Sequence, residues 1–296
     1  MQRTHARGKI EIMEKWQIKE IVLKALEEDL PFGDRTTEIL IPPDLKGRAY
    51  FLAKSELVIC GEPVAEAVFQ EIDPEIQITW HFSEGVLIPP QTKIGYALGR
   101  VQSLLKGERV ALNFLQHLSG IATKARKMSE LLAGATFLLD TRKTLPGLKV
   151  LQKYAVRIGG GRNHRFSLSD GILIKDNHIK ALGGLEGVLK KLKDLPHNLK
   201  VEIEIKSLAE LEFILEKDSK VIDALLLDNF SEDDLRKAVS LIRRIKPDLW
   251  IEVSGGITEE NLKKYADLGV NFVSAGALTH SVKAVDISFK IEEVWE

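Results

Sequence analysis

The sequence contains one cysteine, Cys60, among 296 residues, which excludes a disulfide framework and any site built from several cysteines. Its 42 Lys and Arg residues almost equal its 43 Asp and Glu residues, so the net charge of −1 argues against nucleic-acid binding through overall positive charge. No apolar run approaches the roughly 18 residues of a membrane span, and residues 1–15 lack the apolar core of a signal peptide. We therefore expect a cytoplasmic protein that binds neither membranes nor nucleic acid.

The region from about residue 135 onward alternates short apolar runs with helical patterns. Six strands are predicted there, over residues 135–140, 172–175, 201–205, 224–228, 249–253 and 271–274. Helices are predicted over residues 184–195, 208–217, 232–245 and 259–268, with Ser207 and Ser231 as N-terminal caps of the second and third. Strands separated by helices indicate an α/β fold with a parallel sheet. Six strands leave a shortened barrel and a doubly wound sheet both open.

Polar residues follow successive predicted strands, and this regularity favours the barrel. They lie at positions 140–143, 175–178, 204, 228–229, 254–256 and 275–276. Barrel enzymes assemble their active sites at the carboxyl ends of several strands. The alternative is that ordinary polar loops begin where strands end.

The first 130 residues follow a different pattern. A helix is predicted over residues 14–29, alternating strand-like segments over 48–60, 76–82 and 94–101, and a long helix over 103–132. This pattern indicates a small α+β domain with an antiparallel sheet. The domain boundary is expected within or near the long helix.

Positive charge is concentrated between residues 140 and 180. This stretch holds nine Lys and Arg residues against three Asp residues, together with His164 and His178. A small substrate with several negative charges requires such a cluster, because Arg binds carboxylates and phosphates bidentately and Lys supplies a compact charge. A solvated basic surface is the alternative.

Two carboxylates are predicted to end neighbouring strands. Glu204 and Asp228 could bind Mg²⁺ together with substrate oxygens, grip ribose hydroxyls, or form a general acid–base pair. Solvated loop carboxylates are the alternative. We assign Glu202 to the opposite face of its strand and therefore prefer Glu204 as the site residue.

Small residues follow the last two strands. Ser254, Gly255 and Gly256 form one such turn, and Ala275, Gly276 and Ala277 form the other. Small side chains let backbone N–H groups approach a phosphate, and barrels often bind phosphate after their late strands. The glycines at 159–161 do not match a dinucleotide-binding fingerprint.

Eight segments of the chain resemble, in order, the quinolinate phosphoribosyltransferase family. They are residues 29–37 (DLPFGDRTT), 108–123, 140–148 (DTRKTLPGL), 159–179 (GGGRNHRFSLSDGILIKDNHI), 201–208, 225–230, 252–258 and 274–281. The resemblance covers nearly the whole chain. It implies a decarboxylating enzyme of NAD biosynthesis that converts quinolinate and phosphoribosyl pyrophosphate to nicotinate mononucleotide, pyrophosphate and CO₂.

The resemblance also implies a fold and an assembly. We expect an N-terminal α+β open-sandwich domain at residues 1–125, joined by the C-terminal segment 283–296, and a β/α barrel of fewer than eight strands at 126–282. The resemblance implies a homodimer in which Arg109 reaches the active site of the partner subunit, and it leaves larger assemblies open. Asn113 and Gln116 share the helical face of Arg109, which suits an interface.

Roles for individual residues follow from the same resemblance. It implies that Arg142, His164, Arg165 and Lys175 bind the two carboxylates of quinolinate and that Thr141 also binds substrate. Lys143 and Lys175 would neutralise the pyrophosphate, Glu204 and Asp228 would hold the ribose hydroxyls and Mg²⁺, directly or through substrate or water, and the two turns at 254–256 and 275–277 would hold the 5′-phosphate. Lys143, Lys175, Glu204 and Asp228 are the expected catalytic residues.

Three other functions remain possible on the sequence. A related enzyme could use nicotinate, which lacks the second carboxylate, although the density of cations favours two. A barrel lyase could form a Schiff base through Lys143 or Lys175. A phosphate-binding module without catalysis is the third, and it fits poorly with so many ionisable groups.

Overall fold

The computed structural model describes residues 14–132, 134, 136–193, 198–217 and 220–296. The chain forms two compact units. The first contains Met1–Thr123, Pro146–Ile158 and Lys283–Glu296, and the second contains Lys124–Leu145 and Gly159–Val282. Within the described residues, no helix combines the length and apolar character that a membrane crossing requires.

The helices and strands are numbered in chain order. The first stretch contains α1 (Lys15–Asp29), α2 (Arg35–Leu40), β1 (Lys46–Ala53), β2 (Leu57–Val58), α3 (Glu62–Ile72), β3 (Gln77–Trp80), β4 (Leu87–Ile88), β5 (Thr92–Arg100) and α4 (Val101–Leu131). The second contains β6 (Phe137–Leu139), α5 (Lys149–Ile158), β7 (Ile172–Ile174), α6 (Asp176–Ala181), α7 (Leu185–Lys193), β8 (Val201–Ile205), α8 (Leu208–Glu216) and β9 (Ala224–Asp228). The last contains α9 (Glu232–Ile245), β10 (Trp250–Ser254), a short 3₁₀ helix (Leu262–Tyr265), β11 (Phe272–Ser274), α10 (Ala277–His280) and β12 (Ile287–Trp295).

An antiparallel sheet forms the framework of the first unit. Its strand order is β12-β1-β5-β3, so the last strand of the chain pairs with the first. Alternate residues of β1 are buried, as expected for a sheet with one covered face. Phe51 of β1 is fully buried, and its ring centroid lies 4.7 Å from that of Phe289 and 4.9 Å from that of Trp80. This aromatic cluster fixes β12 to the rest of the sheet.

The second unit is an incomplete barrel. Its six strands are parallel and run in the order β6-β11-β10-β9-β8-β7. Strands consecutive in sequence are neighbours from β7 to β11, and the first strand, β6, pairs with the last. This cyclic order is that of a barrel open between β7 and β6, and it excludes the doubly wound sheet. The predicted fold class is confirmed.

Several element boundaries follow the sequence pattern closely. The strands predicted at 201–205 and 224–228 match β8 and β9, and the long helix predicted at 103–132 is α4. The Ser207 and Ser231 hydroxyls cap α8 and α9 by accepting the N–H groups of Glu210 and Asp234, each at 3.2 Å. Residue 135 of the first predicted strand and residues 194–195 of the helix predicted at 184–195 lie outside the described residues.

The helix predicted over residues 259–268 is wrong. Only the 3₁₀ helix Leu262–Tyr265 forms there. The cause is Asn261, whose side chain accepts a hydrogen bond from the N–H of Thr258 at 3.0 Å and donates to the carbonyl of Gly256 at 2.7 Å. An Asn side chain that bonds nearby backbone groups favours a turn over a continuous helix.

The segment Pro146–Ile158, which contains α5, groups with the first unit, whereas the sequence placed all of 126–282 in the barrel. Its link to α4 is a hydrogen bond at 2.9 Å between the side-chain amide of Gln152 and Nε2 of His117. The chain therefore leaves the barrel after β6 and returns to it at residue 159. Residues 283–296 also group with the first unit, because β12 pairs with β1.

Replacing Phe51 with Ala should destabilise the first unit by roughly 3–5 kcal/mol, because a large buried ring is lost and the aromatic cluster cannot fully collapse. Phe32→Ala is the matched control, since the Phe32 side chain is 82% exposed. Urea unfolding of both variants measures the difference. Equal unfolding free energies would contradict the place of Phe51 at the centre of this core.

Candidate active site

A cavity of about 810 Å³ lies at the carboxyl ends of the barrel strands. It brings together thirteen of the predicted site residues: Thr141, Arg142, Lys143, His164, Arg165, Lys175, Glu204, Asp228, Ser254, Gly255, Gly256, Gly276 and Ala277. Ala275 is instead buried, and its N–H donates to the carbonyl of Leu139 at 3.0 Å. Arg109 lies on α4 in the first unit, where it is exposed.

The loop after β6 carries two of the cations, and hydrogen bonds fix its shape. The N–H of Lys143 donates to the Thr141 hydroxyl at 3.0 Å, and the hydroxyl of Thr279 donates to the Lys143 carbonyl at 2.8 Å. The buried carboxylate of Asp140 accepts the N–H of His164 at 2.9 Å, which joins this loop to the one that carries the other cations. The cationic loops are therefore held by the barrel.

Lys175 and Glu204 form an ion pair inside the cavity. Lys175 Nζ lies 3.0 Å from Glu204 Oε2, and the Glu204 side chain is only 7% exposed. Lys206 Nζ lies 3.5 Å from the other oxygen of Glu204 and 2.7 Å from Asp176 Oδ2. A buried carboxylate requires such compensation, because unpaired charge is costly away from water. Sequence patterns had given Lys206 no role.

The Arg165 side chain has one hydrogen-bond donor that no acceptor satisfies among the described residues. One terminal nitrogen of its guanidinium donates to the Gly171 carbonyl at 2.9 Å. Its Nε is buried and has no hydrogen-bond partner among the described residues. Burial, and then the neighbouring charge of Arg142, lower the pKa of Arg165 below its usual value. An anion bound here would satisfy the guanidinium and offset its burial.

The prediction for Glu202 is wrong. Residues two apart on a strand share a face, so Glu202 and Glu204 both point into the barrel. Glu202 Oε2 lies 3.0 Å from Nε2 of His164, and Glu252 Oε2 lies 3.5 Å from the same nitrogen. Burial, and then the charge of Glu202, raise the pKa of Glu252 to about 8. An acidic residue in the middle of the apolar strand β10 was the available signal for Glu252.

The turn after β10 approaches the end of β9 closely. Gly255 has a φ of +99°, and a Cβ there would lie 2.2 Å from Asn229 Oδ1. Asn229 itself has a φ of +57°, and its side-chain amide donates to Asp228 Oδ2 at 2.8 Å. Glycine at 255 therefore allows the turn at 254–256 to lie next to Asn229 and the Asp228 carboxylate. Asn229 also lines the cavity, although no role had been assigned to it.

Four cations, four carboxyl groups and two turns of small residues thus line one cavity at the carboxyl ends of the barrel strands. This arrangement defines the class: an α/β-barrel enzyme site for a small substrate with several negative charges. No serine or cysteine nucleophile paired with a base is needed to explain the arrangement.

Comparison with known proteins gives the family. The model of the N-terminal domain of quinolinate phosphoribosyl transferase matches residues 34–119, and that of the C-terminal domain matches residues 121–290. The chain belongs to the quinolinate phosphoribosyltransferase family, whose members are pentosyltransferases.

Individual relatives agree along most of the chain. The mitochondrial quinolinate phosphoribosyltransferase [decarboxylating] 2a of Nicotiana tabacum is 38% identical over 94% of this chain and 83% of its own length. A probable nicotinate-nucleotide pyrophosphorylase of Synechocystis is 40% identical, with 90% of each chain covered. The solved nicotinate-nucleotide pyrophosphorylase of Francisella tularensis is 38% identical, with a TM-score of 0.88 and coverage of 96% of this chain and 100% of that one.

Gly255→Ala should weaken the binding of inorganic phosphate at least about tenfold, or about 1.4 kcal/mol, because the new Cβ displaces Asn229 and the turn. Gly256→Ala is the control, since its φ of +58° is also left-handed but nothing lies within 4 Å of the added Cβ. Calorimetry with phosphate compares the two. An equal loss in both variants would mean that backbone strain, rather than the approach to Asn229, decides the effect.

Proposed function

We propose that this chain transfers the phosphoribosyl group of phosphoribosyl pyrophosphate to the ring nitrogen of quinolinate and releases pyrophosphate and CO₂. The product is nicotinate mononucleotide. Family membership supports the reaction, and the observation that carries the choice of acceptor is the cluster of four cations with an unsatisfied buried Arg165 donor.

Arg142, Arg165 and Lys175 would bind the two carboxylates of quinolinate. Guanidinium groups suit this task because they pair with carboxylates in two-point geometry. Thr141 and His164 line the same cavity. Binding both carboxylates fixes the plane of the pyridine ring, so the ring nitrogen is directed at one point in the cavity. Such orientation converts an encounter of two substrates into a reaction within one complex.

Ribosyl transfer needs charge stabilisation rather than a protein nucleophile. The ring nitrogen attacks C1 of the ribose as pyrophosphate departs, and positive charge develops on the ribose. Glu204 and Asp228 would accept hydrogen bonds from the ribose hydroxyls and stabilise that charge. Lys143 and Lys175 would neutralise the departing pyrophosphate, and the turns at 254–256 and 275–277 would hold the 5′-phosphate.

Decarboxylation follows from the charge left on the ring. Ribosylation makes the pyridine nitrogen positive, and that charge stabilises the carbanion formed at the adjacent carbon when its carboxylate leaves as CO₂. The cations must hold this carboxylate in place without stabilising the bound substrate as strongly as the transition state. Binding that is equally strong in both states does not raise the turnover rate.

Magnesium fits the carboxylates of this site. Glu204 and Asp228 come from neighbouring strands and line one cavity, and Mg²⁺ in phosphate-transfer sites is commonly held by one or two carboxylates with substrate oxygens and water. When bound, Mg²⁺ would neutralise pyrophosphate charge. Lys175 would release Glu204 as its ammonium turns to the anionic substrates.

A homodimer with a shared active site is part of the proposal. Arg109 and Asn113 are exposed on α4, where a partner subunit could meet them. Gln116 does not belong to this surface, because its amide donates to the Ile287 carbonyl at 2.8 Å within the same unit. Isologous dimers present the same patch to each partner, so each subunit would donate Arg109 to the other's cavity. The cytoplasmic location stays a prediction from the sequence.

The purified protein should release CO₂ and pyrophosphate from quinolinate only when phosphoribosyl pyrophosphate and Mg²⁺ are both present. Nicotinate, the control acceptor, should be used at least about tenfold less efficiently, because it lacks one carboxylate and each lost charged contact costs roughly 2–5 kcal/mol. Coupled assays of the two products measure this. Equal use of nicotinate without CO₂ release would identify the alternative enzyme.

Arg109→Ala and Lys143→Ala homodimers should both be nearly inactive, since one lacks the donated group and the other a resident one. After reversible dissociation and mixing, heterodimers would contain one intact site and one doubly defective site. Random pairing should then restore up to about a quarter of wild-type activity. If mass spectrometry showed heterodimers while activity stayed at the parental level, Arg109 would not act across an interface.

A further inference from the structure

Two carboxyl groups lie beside Nε2 of His164, at 3.0 and 3.5 Å. Glu202 comes from β8 and Glu252 from β10, and the ligand atoms of these three side chains lie within 4.8 Å of one another. The Glu252 side chain is 3% exposed, the other two about 14%. Each points inward from its strand or loop. The site as proposed so far gives neither Glu202 nor Glu252 a task.

The hydrogen bonds of His164 determine its protonation. The backbone N–H of Arg165 donates to Nδ1 of His164 at 2.7 Å. A backbone N–H can only donate, so Nδ1 must present its lone pair and the ring proton must be on Nε2. Nε2 faces Glu202 at 3.0 Å and Glu252 at 3.5 Å. His164 is therefore the neutral Nε2–H tautomer, with both ring nitrogens engaged within the chain.

The same bond argues against a metal ion in this cluster. A divalent cation on Nε2 would use the lone pair of that nitrogen and leave the ring proton on Nδ1. Nδ1 would then direct its proton at the N–H of Arg165. The cluster is better explained as a hydrogen-bonded relay than as a set of metal ligands.

A proton held between the two carboxyl groups completes the relay. Two ionised carboxylates at this separation repel each other, and burial adds to the cost of the second charge. Burial and the nearby Glu202 raise the pKa of Glu252 to about 8, which agrees with a protonated Glu252 at neutral pH. The Ser274 hydroxyl also hydrogen-bonds Glu252. Protonation of Glu252 thus removes one of two possible negative charges from the cluster.

We propose that Glu202 and Glu252 are positioning residues that hold His164 as its Nε2–H tautomer, and that His164 in turn fixes the backbone of Arg165 so that its guanidinium faces the substrate carboxylate. His164 then acts through Arg165 and not by donating a proton to quinolinate. The inference rests on the proposed function only where it identifies the carboxylate that Arg165 faces as one of quinolinate. The hydrogen-bond arrangement itself is independent of the substrate.

Charged and titratable groups from most of the strand ends line the same cavity or contact His164. They are Asp140, Arg142 and Lys143 after β6, Arg165 in the loop before β7, Lys175 and Asp176 after β7, Glu204 on β8, Asp228 on β9 and His280 on α10. Below pH 8 the protonated Glu252 adds no charge. Above pH 8 it ionises, and a second negative charge beneath the cations should weaken the binding of a dicarboxylate.

Two substitutions of Glu252 separate its role from bulk stability. Glu252→Leu removes the hydrogen bonds and should raise the KM for quinolinate about ten- to a hundred-fold, with the KM for phosphoribosyl pyrophosphate nearly unchanged, as for other lost orienting contacts. Glu252→Gln resembles the protonated acid and should rescue the quinolinate KM. The rise of that KM above pH 8 should be present in the wild type and absent in Glu252→Gln.

Nitrogen NMR of the His164 ring in the substrate-free enzyme tests the relay directly, even if Glu252→Leu does not fold or the enzyme uses another acceptor. The expected result is a protonated Nε2 and an unprotonated Nδ1. An imidazolium, the opposite tautomer, or a stoichiometric bound metal lost in Glu252→Gln would overturn the proposal. So would a Glu252→Gln variant with a quinolinate KM as high as that of Glu252→Leu, or an equal rise in both substrates' KM values.

Discussion

Parallel strands that end at a common edge force charges from distant parts of the chain into one cavity. In this protein the residues at 141–143, 164–165, 175, 204 and 228 meet there, although they are spread over nearly ninety residues of sequence. The collected charges must be compensated, since the cavity is partly removed from water. Lys175 forms an ion pair with Glu204, and the Arg165 guanidinium donates a hydrogen bond to the Gly171 carbonyl. His164 is neutral. In the substrate-free site these side chains therefore bind groups of the chain itself, and the substrates would replace those partners.

The fold was largely predictable because its strands are short apolar runs with polar ends. β8 and β9 appear in the sequence at their true boundaries, since each is bounded on both sides by polar or turn-forming residues. Pairings between distant segments were not predictable from periodicity. The β12-β1 pair joins residues about 240 positions apart, and α5 groups with the first unit through contacts such as Gln152 with His117. The pattern at 259–268 failed because one side chain, Asn261, redirected the backbone.

Charged site residues at strand ends were predictable from the sequence, whereas charged residues inside strands were harder to assign. Arg142, Lys143 and Lys175 are cations at strand ends, and the structure places them on one cavity. Glu202 was assigned to the wrong face through an error in strand alternation, and Glu252 lies inside an apolar strand. The engagement of both nitrogens of His164 depends on the N–H of Arg165 and on two carboxyl groups from separate strands. No spacing rule encodes such a three-way contact.

The central claim is that the cations of this cavity serve two carboxylates on one aromatic ring. Calorimetric binding of quinolinate and of nicotinate to the substrate-free enzyme measures this most directly, without turnover. The account predicts that nicotinate binds more weakly by roughly 2–5 kcal/mol, because one carboxylate and its charged partner are lost. Raising the salt concentration should reduce the difference, since it screens the exposed part of the cavity. Equal affinities for the two acids at low salt would contradict the account.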